Sequence, residues 1–230
     1  MRRPGPAMSR VRQVAGGGRA VEVEPERLQG FLERFGTRHQ GVTESVLGPD
    51  QAVFTAADGA RAELTIPFGG LPGEPITSPG LHLDPLLPHL LLPRRIALIL
   101  VRLGGHSLGI AEGGKVLLST TDRRQVHGRN KAGGWSQQRF ARRREGQARV
   151  ALQAAADDVF RVLVPQLSTV DAVMLGGDRA ALAELRTDRR IAELMNRAED
   201  RILDVPEPRR TILDDAAERA RTVEVVVTEP

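Results

Sequence analysis

Cysteine is missing from all 230 residues of the chain. Disulfides and thiolate metal sites are therefore excluded, and nothing points to an oxidising compartment. Lysine is nearly missing as well: Lys115 and Lys131 are the only two, so arginine carries almost all of the positive charge. Such a bias can be genomic, so where the arginines cluster says more than how many there are. No run of 18 apolar residues occurs, and the apolar stretch at 96–101 is too short to span a bilayer. The amino terminus lacks the apolar core of a secretory signal. A cytoplasmic location with no membrane partner is expected. His82 and His89 lie seven apart on a proline-broken stretch, which does not suit a shared metal geometry, so neither metal nor cofactor is expected.

What is present concentrates in residues 122–149. Nine positive side chains (Arg123, Arg124, Arg129, Lys131, Arg139, Arg142, Arg143, Arg144 and Arg149) stand against two negative ones, Asp122 and Glu145. The segment carries an excess of seven positive charges in a chain of formal net charge +4, so the rest is acidic by three. A segment charged in this way repels itself and stays open until a polyanion neutralises it, and a nucleic-acid backbone has the matching charge density. Arginine grips phosphate bidentately with its planar fork. At the centre sits Gly133-Gly134-Trp135-Ser136-Gln137-Gln138, whose two glycines permit close backbone approach. A helix follows, with a stripe of Ala141, Ala148, Leu152, Ala155, Val159 and Val162 at helical spacing, and Pro165 marks its end.

Around this segment the chain divides by composition. Residues 1–19 hold five arginines, three consecutive glycines and no acid, the pattern of a disordered basic tail. Residues 20–68 read as a small α+β unit, with a strand at Ala20–Val23, a helix at Glu26–Phe35 and strands near Val42–Leu47, Ala52–Thr55 and Ala60–Ile66. Residues 69–93, with Pro72, Pro75, Pro79, Pro85, Pro88 and Pro93, read as a proline-rich linker. Residues 94–230 form the main domain. Three antiparallel strands (Arg95–Leu103, Ser107–Glu112, Lys115–Thr121) feed the basic loop, and the long helix follows it. After that come a strand at Ala172–Leu175, a turn with Asp178 as helix cap, helical pattern through 198, a strand at Arg201–Val205, a helix at Thr211–Ala220 and a final strand at Val223–Val227. A meander followed by β-α alternation implies an α/β fold.

The segment resembles a known family. Class-one release factors of the eukaryotic and archaeal type carry, in their middle domain, a Gly-Gly-Gln loop before a helix that opens on an Arg-Phe-Ala-Arg-type segment. This sequence has His127-Gly128-Arg129 before Gly133-Gly134 and Arg139-Phe140-Ala141-Arg142-Arg143-Arg144 after it. Aligned without a gap, the family's glutamine falls on Trp135, and the glutamines lie two and three positions later. That displaced Gly-Gly-x-x-Gln pattern is similar to the VLRF branch, the release-factor-like domains of the Vms/ANKZF peptidyl-tRNA hydrolases and their bacterial relatives. The resemblance covers roughly residues 94–228 and implies an RNase H-like release-factor middle domain, a mixed sheet built of the meander and the β-α units.

It also implies a substrate: the ester joining a nascent peptide to the terminal ribose of tRNA, presented on the large ribosomal subunit and its rRNA. Glutamine does not titrate and cannot serve as general base, but its carbonyl can orient water and its N–H groups can donate to developing charge. Gln137 is the first candidate and Gln138 the second, with Gly133 and Gly134 admitting the backbone to a crowded centre. Trp135 and Ser136 are candidate RNA contacts. Arg139, Arg142 and Arg143 are the expected phosphate contacts, supported by Arg144, Arg123, Arg124, Arg129 and Lys131. Taken singly, the glycines make a turn, the glutamines start a helix and the arginines form a solvated face; it is their combination that points to chemistry. His127 is expected to cap the strand.

Other classes fit less well. An RNase H-type metal nuclease needs acids on the first strand, and Ile96–Leu103 has none. Gly104-Gly105-His106-Ser107-Leu108-Gly109 lacks the ending of a Walker phosphate loop. A metal-free tRNA nuclease and a non-catalytic ribosome-binding adaptor remain as alternatives to a hydrolase that rescues stalled ribosomes without reading a codon.

Overall fold

The computed structural model describes residues 11–14, 17–102, 105–123 and 136–230; at 123 and 136–145 it describes the backbone alone. The chain divides into two units, one made of residues up to 92 together with 221–230, the other of residues 93–220.

The first unit is built on a seven-stranded sheet in which every neighbouring pair is antiparallel. Its strands are β1 (Val11–Gln13), β2 (Arg19–Val23), β3 (Val42–Leu47), β4 (Gln51–Ala56), β5 (Arg61–Thr65), β6 (Ile76–Pro79) and β12 (Val223–Thr228). Their spatial order is β1-β2-β12-β5-β4-β3-β6. Helix α1 (Pro25–Arg38) starts with proline in its first turn, where the missing N–H costs nothing, and buries Leu28, Leu32 and Phe35. These leucines join Phe54, Leu64 and Val225 in one apolar core. The buried imidazole of His39, just past α1, hydrogen bonds Asp58 through Nδ1 at 2.8 Å, and Asp58 in turn accepts the Ala60 N–H. The β4–β5 turn is thereby held to the helix end.

Three differences from the sequence reading fall here. Residues 11–13, expected within a disordered basic tail over 1–19, form β1 and pair antiparallel with β2, which itself begins at Arg19. The stretch 69–93 carries β6 and the short helix α2 (Leu86–Leu91), and Leu71, Leu86 and Leu90 are buried in the first core. Its leucines decide its fate where its prolines suggested a linker. The last strand, expected within 94–230, instead lies between β2 and β5 of the first sheet. Its alternation explains the choice: Val223, Val225 and Val227 are buried while Glu224 and Val226 stay half-exposed, as a sheet with one covered face requires.

The second unit holds a five-stranded mixed sheet, order β11-β10-β7-β8-β9. Strands β7 (Arg95–Arg102), β8 (Gly105–Glu112) and β9 (Lys115–Arg123) form the expected antiparallel meander. Strand β10 (Ala172–Gly177) runs parallel to β7, and β11 (Ala198–Leu203) parallel to β10. Helices α3 (Ser136–Asp158), α4 (Arg179–Leu185) and the single turn α5 (Ala192–Met195) pack on one face, sharing a core with Ala97, Ile99 and Val101. Helix α6 (Arg210–Ala220) packs against β7, β8 and β9 with Leu213, Ala216 and Ala217 buried. Gly109 on β8 makes that approach possible, because a Cβ there would lie 2.9 Å from the Leu213 side chain and 2.7 Å from the Leu118 carbonyl oxygen. The architecture is α/β, a meander followed by β-α units, as the sequence implies.

Two details were not legible. Strand β11 begins three residues before the expected Arg201, because residues 189–195 form only a 3₁₀ turn and one turn of α-helix. The long helix does not run regularly to Pro165: it passes into a π-helical turn at Val159–Leu163 and then a 3₁₀ stretch at Val164–Thr169.

Candidate nucleic-acid interface and catalytic loop

The basic segment is mounted on β9 and α3. Strand β9 delivers the chain to Arg123, paired with Gly105, while Asp122 pairs with His106 one position earlier. Arg124, His127, Arg129, Lys131, Gly133, Gly134 and Trp135 lie outside the described residues. Helix α3 starts at Ser136, so Gln137 and Gln138 occupy its first turn, and the positions of Arg139, Arg142, Arg143 and Arg144 follow over the next two. The expectation that residues 122–136 are open when unbound also falls largely outside what is described.

The carboxyl-terminal part of α3 holds it to the unit. Ala151, Ala155, Ala156 and Val159 are buried, with Leu163 beyond them, whereas Arg149 and Val150 are exposed. The expected stripe of Ala141, Ala148, Leu152, Ala155, Val159 and Val162 is therefore only partly the buried one: Ala148, Leu152 and Val162 are half-buried. Residues 151, 155 and 159 keep a spacing of four, and the wider π turn carries burial on to Leu163. Periodicity reasoning assumes a constant turn, which this helix does not keep.

A polar cluster that sequence reasoning missed sits where α3 ends. His106, 1% exposed on β8, is 2.8 Å through Nε2 from Asp158 Oδ2, and Arg161 donates to Asp158 Oδ1 at 2.6 Å. Burial alone would raise the Asp158 carboxyl, but hydrogen bonds from Arg161 and His106 and their charges outweigh it, and it titrates below the ordinary carboxylate range. Next to it, Asp157 accepts from Arg190 at 2.8 Å and from Gln153 at 3.0 Å. Arg190 also grips Asp188, with Nε–Oδ1 at 3.1 Å and Nη2–Oδ2 at 2.6 Å, and its guanidinium carbon lies 5.6 Å from the centre of the exposed Phe160 ring. Hydrogen bonds from Arg190 hold both Asp157 and Asp188 below their usual range, and the two carboxylates push Arg190 further up. His106 and Asp158 are 52 residues apart, so no local spacing could have announced them. Among the described residues no group of three His, Asp or Glu side chains could hold a metal ion, and no helix is long and apolar enough to cross a membrane.

The second unit is thus a mixed α/β layer whose edge strand β9 and long helix α3 lie on either side, in sequence, of the basic segment. The family model described as Actinobacteria/chloroflexi VLRF1 release factor matches residues 94–226, more than half of the chain, and the protein belongs to that family. Among solved structures, the archaeal translation termination factor aRF1 is 12% identical with a TM-score of 0.41, the match covering 86% of this chain and 72% of that one. Dom34 of S. cerevisiae, a translation termination-like factor involved in RNA quality control and interacting with Hbs1, is 7% identical with a TM-score of 0.35, covering 93% of this chain and 70% of that one. No curated protein matches the sequence.

Proposed function

We propose that the protein is a peptidyl-tRNA hydrolase that frees nascent chains on stalled ribosomes or large subunits. The observation that supports this reading is the continuous family match over residues 94–226, which takes in the whole basic segment from Asp122 to Arg149 with its Gly-Gly-x-x-Gln spacing. In this reading Gly133 and Gly134 bring the backbone close to the ester. Gln137, with Gln138 beside it, orients a water through its side-chain carbonyl and donates an N–H to the oxyanion as the tetrahedral intermediate forms. The arginines of α3 hold tRNA or rRNA phosphates, and Trp135 stacks on a base or ribose. Water attacks the ester carbonyl, the carbonyl–ribose oxygen bond breaks, and peptide acid and tRNA hydroxyl leave. Catalysis by positioning needs neither metal nor cofactor.

The test is release of labelled peptide from peptidyl-tRNA on isolated large subunits, comparing wild type, Gln137→Ala and Gln138→Ala. Losing one oxyanion donor costs about 3–4 kcal/mol, so Gln137→Ala is expected to release peptide about 10²–10³-fold more slowly while still binding. The placement of Trp135 where the wider family has glutamine favours a second reading, an RNA-binding adaptor without hydrolysis. Salt-dependent binding by a wild type that releases nothing would establish that reading and overturn the first.

A further inference from the structure

Hydrolysis by a positioned glutamine makes a demand: the direction of α3 must be fixed so that its first turn is held in place. Gln137 and Asp158 are 21 residues apart on one helix, about 32 Å at 1.5 Å per residue. Among the described side chains of α3, residues 146–158, the buried ones begin at Ala151, toward the end far from Gln137. A tilt of about 10° there carries the glutamine end through about 5 Å over that length. Productive geometry tolerates about 0.5 Å, and a misplacement of about 1 Å costs roughly a hundredfold in rate.

The apolar contacts near Asp158 combine small and large side chains. Three of the buried side chains, Ala151, Ala155 and Ala156, are alanines. These let the helix lie close and by themselves resist turning and tilting weakly, while the larger Val159 and Leu163 beyond them and the half-buried Leu152 lodge in the same core. The polar contacts have the needed geometry. Asp157 and Asp158 are consecutive, so they point about 100° apart around the helix axis. One is tied outward to Arg190 in the 3₁₀ turn 189–191, the other inward to His106 on β8. Two ties to different elements at different azimuths fix both rotation and direction, which one tie cannot do. Each tie is itself braced: Arg190 by two contacts to Asp188, and Asp158 by Arg161. Both sit at the last turn before the helix widens into its π turn. The inner tie also rests on the residue that pairs with Asp122, next to the strand end from which the basic loop departs.

We infer that Asp157 and Asp158, with Arg190 and His106 as their partners, are positioning residues that fix the direction of α3 and so place Gln137 at the ester; this rests on the hydrolase reading above. They touch no substrate and act through the helix.

The chain has no cysteine, so two introduced ones label it uniquely. Spin labels at Glu145→Cys on α3 and Arg186→Cys after α4 report the helix direction as a distance distribution, and peptide release on large subunits reports its consequence. Asp158→Ala is expected to broaden or shift the distance and to lower kcat about tenfold or more with KM unchanged. Asp158→Asn, which keeps an acceptor for His106, is expected to restore most of both. Asp157→Ala, at the exposed tie, is expected to act in the same direction without burdening the core. Leu194→Ala, a buried change on α5, serves as the control for lost stability and is expected to lower Tm while leaving distance and kcat alone. Unchanged distances in both aspartate variants, or a Leu194→Ala variant that loses kcat as they do, would overturn the inference. If the wild type releases no peptide, the hydrolase reading fails and the distances alone decide the clasp.

Discussion

In β4, Ala52, Phe54 and Ala56 are buried while Gln51 is exposed and Val53 and Thr55 are half-buried; in β7 every residue from Ile96 to Val101 is buried. The first sheet alternates along its strands, as a sheet packed mainly on one face does, whereas the middle of the second is covered on both. What the difference teaches is which unit can serve as a mount. Helices α3 and α4 pack on one face of the second sheet and α6 stands against β7, β8 and β9, so β7 is held from both sides. Strand β9, which leads in sequence into the basic segment, sits at the edge of that doubly braced layer. In the proposed hydrolase, that bracing would steady the strand and helix that flank the basic segment.

The largest effect that would break the comparison comes from removing residues 221–230. Strand β12 bonds β2 on one side and β5 on the other, so without it the first sheet opens in the middle. All pairings of β7, β8 and β10 lie within residues 93–220. Hydrogen exchange on the shortened chain is expected to show β2 and β5 unprotected while β7, β8 and β10 keep their protection. Protection of β2 and β5 in that chain would mean the first sheet does not depend on its last strand.

Consecutive alanine substitutions sharpen the contrast. Leu98→Ala and Ile99→Ala, on opposite faces of β7, are each expected to cost about 2–5 kcal/mol in denaturant unfolding, since both are fully buried. In β4, Phe54→Ala is expected to cost about 3–5 kcal/mol and its half-buried neighbour Val53→Ala about 1 kcal/mol or less. Equal costs at 53 and 54 would contradict the one-faced sheet.

The smallest expected effect is electrostatic. The Asp158 carboxyl titrates below its ordinary value of 3.8 in the folded protein, so its stabilisation is complete above that pH and is lost as pH falls through the folded value. Asp158→Asn is therefore expected to cost about 1 kcal/mol or less at pH 7 and less than that at pH 2. A cost that does not change between those pH values would place the role of Asp158 in packing and not in charge.

Much of this was legible residue by residue. The apolar run at 96–101 announced a central strand, Asp178 announced its helix by capping Ala180 and Ala181, and the Gly-Gly-x-x-Gln pattern before Arg139-Phe140-Ala141-Arg142 announced the family. Each is a local signal: hydrophobic period, an oxygen two residues ahead of an N–H, a fixed spacing. The sheet to which β12 belongs was not legible, because alternation states that one face is covered but not by which core. The irregular end of α3 escaped as well, since period analysis assumes the turn that a π segment alters.

By itself the sequence determined most of the strands and helices of the second unit, the charge concentrated in residues 122–149 and the membership in a release-factor family, because these depend on side chains close together along the chain. Only the tertiary structure decided that the last strand closes the first sheet and that His106 meets Asp158 while Arg190 meets Asp157. Those pairings join residues 33 to 52 positions apart, or in the case of β12 more than 150, and such contacts are selected by the packing of whole layers, which no window along the sequence contains.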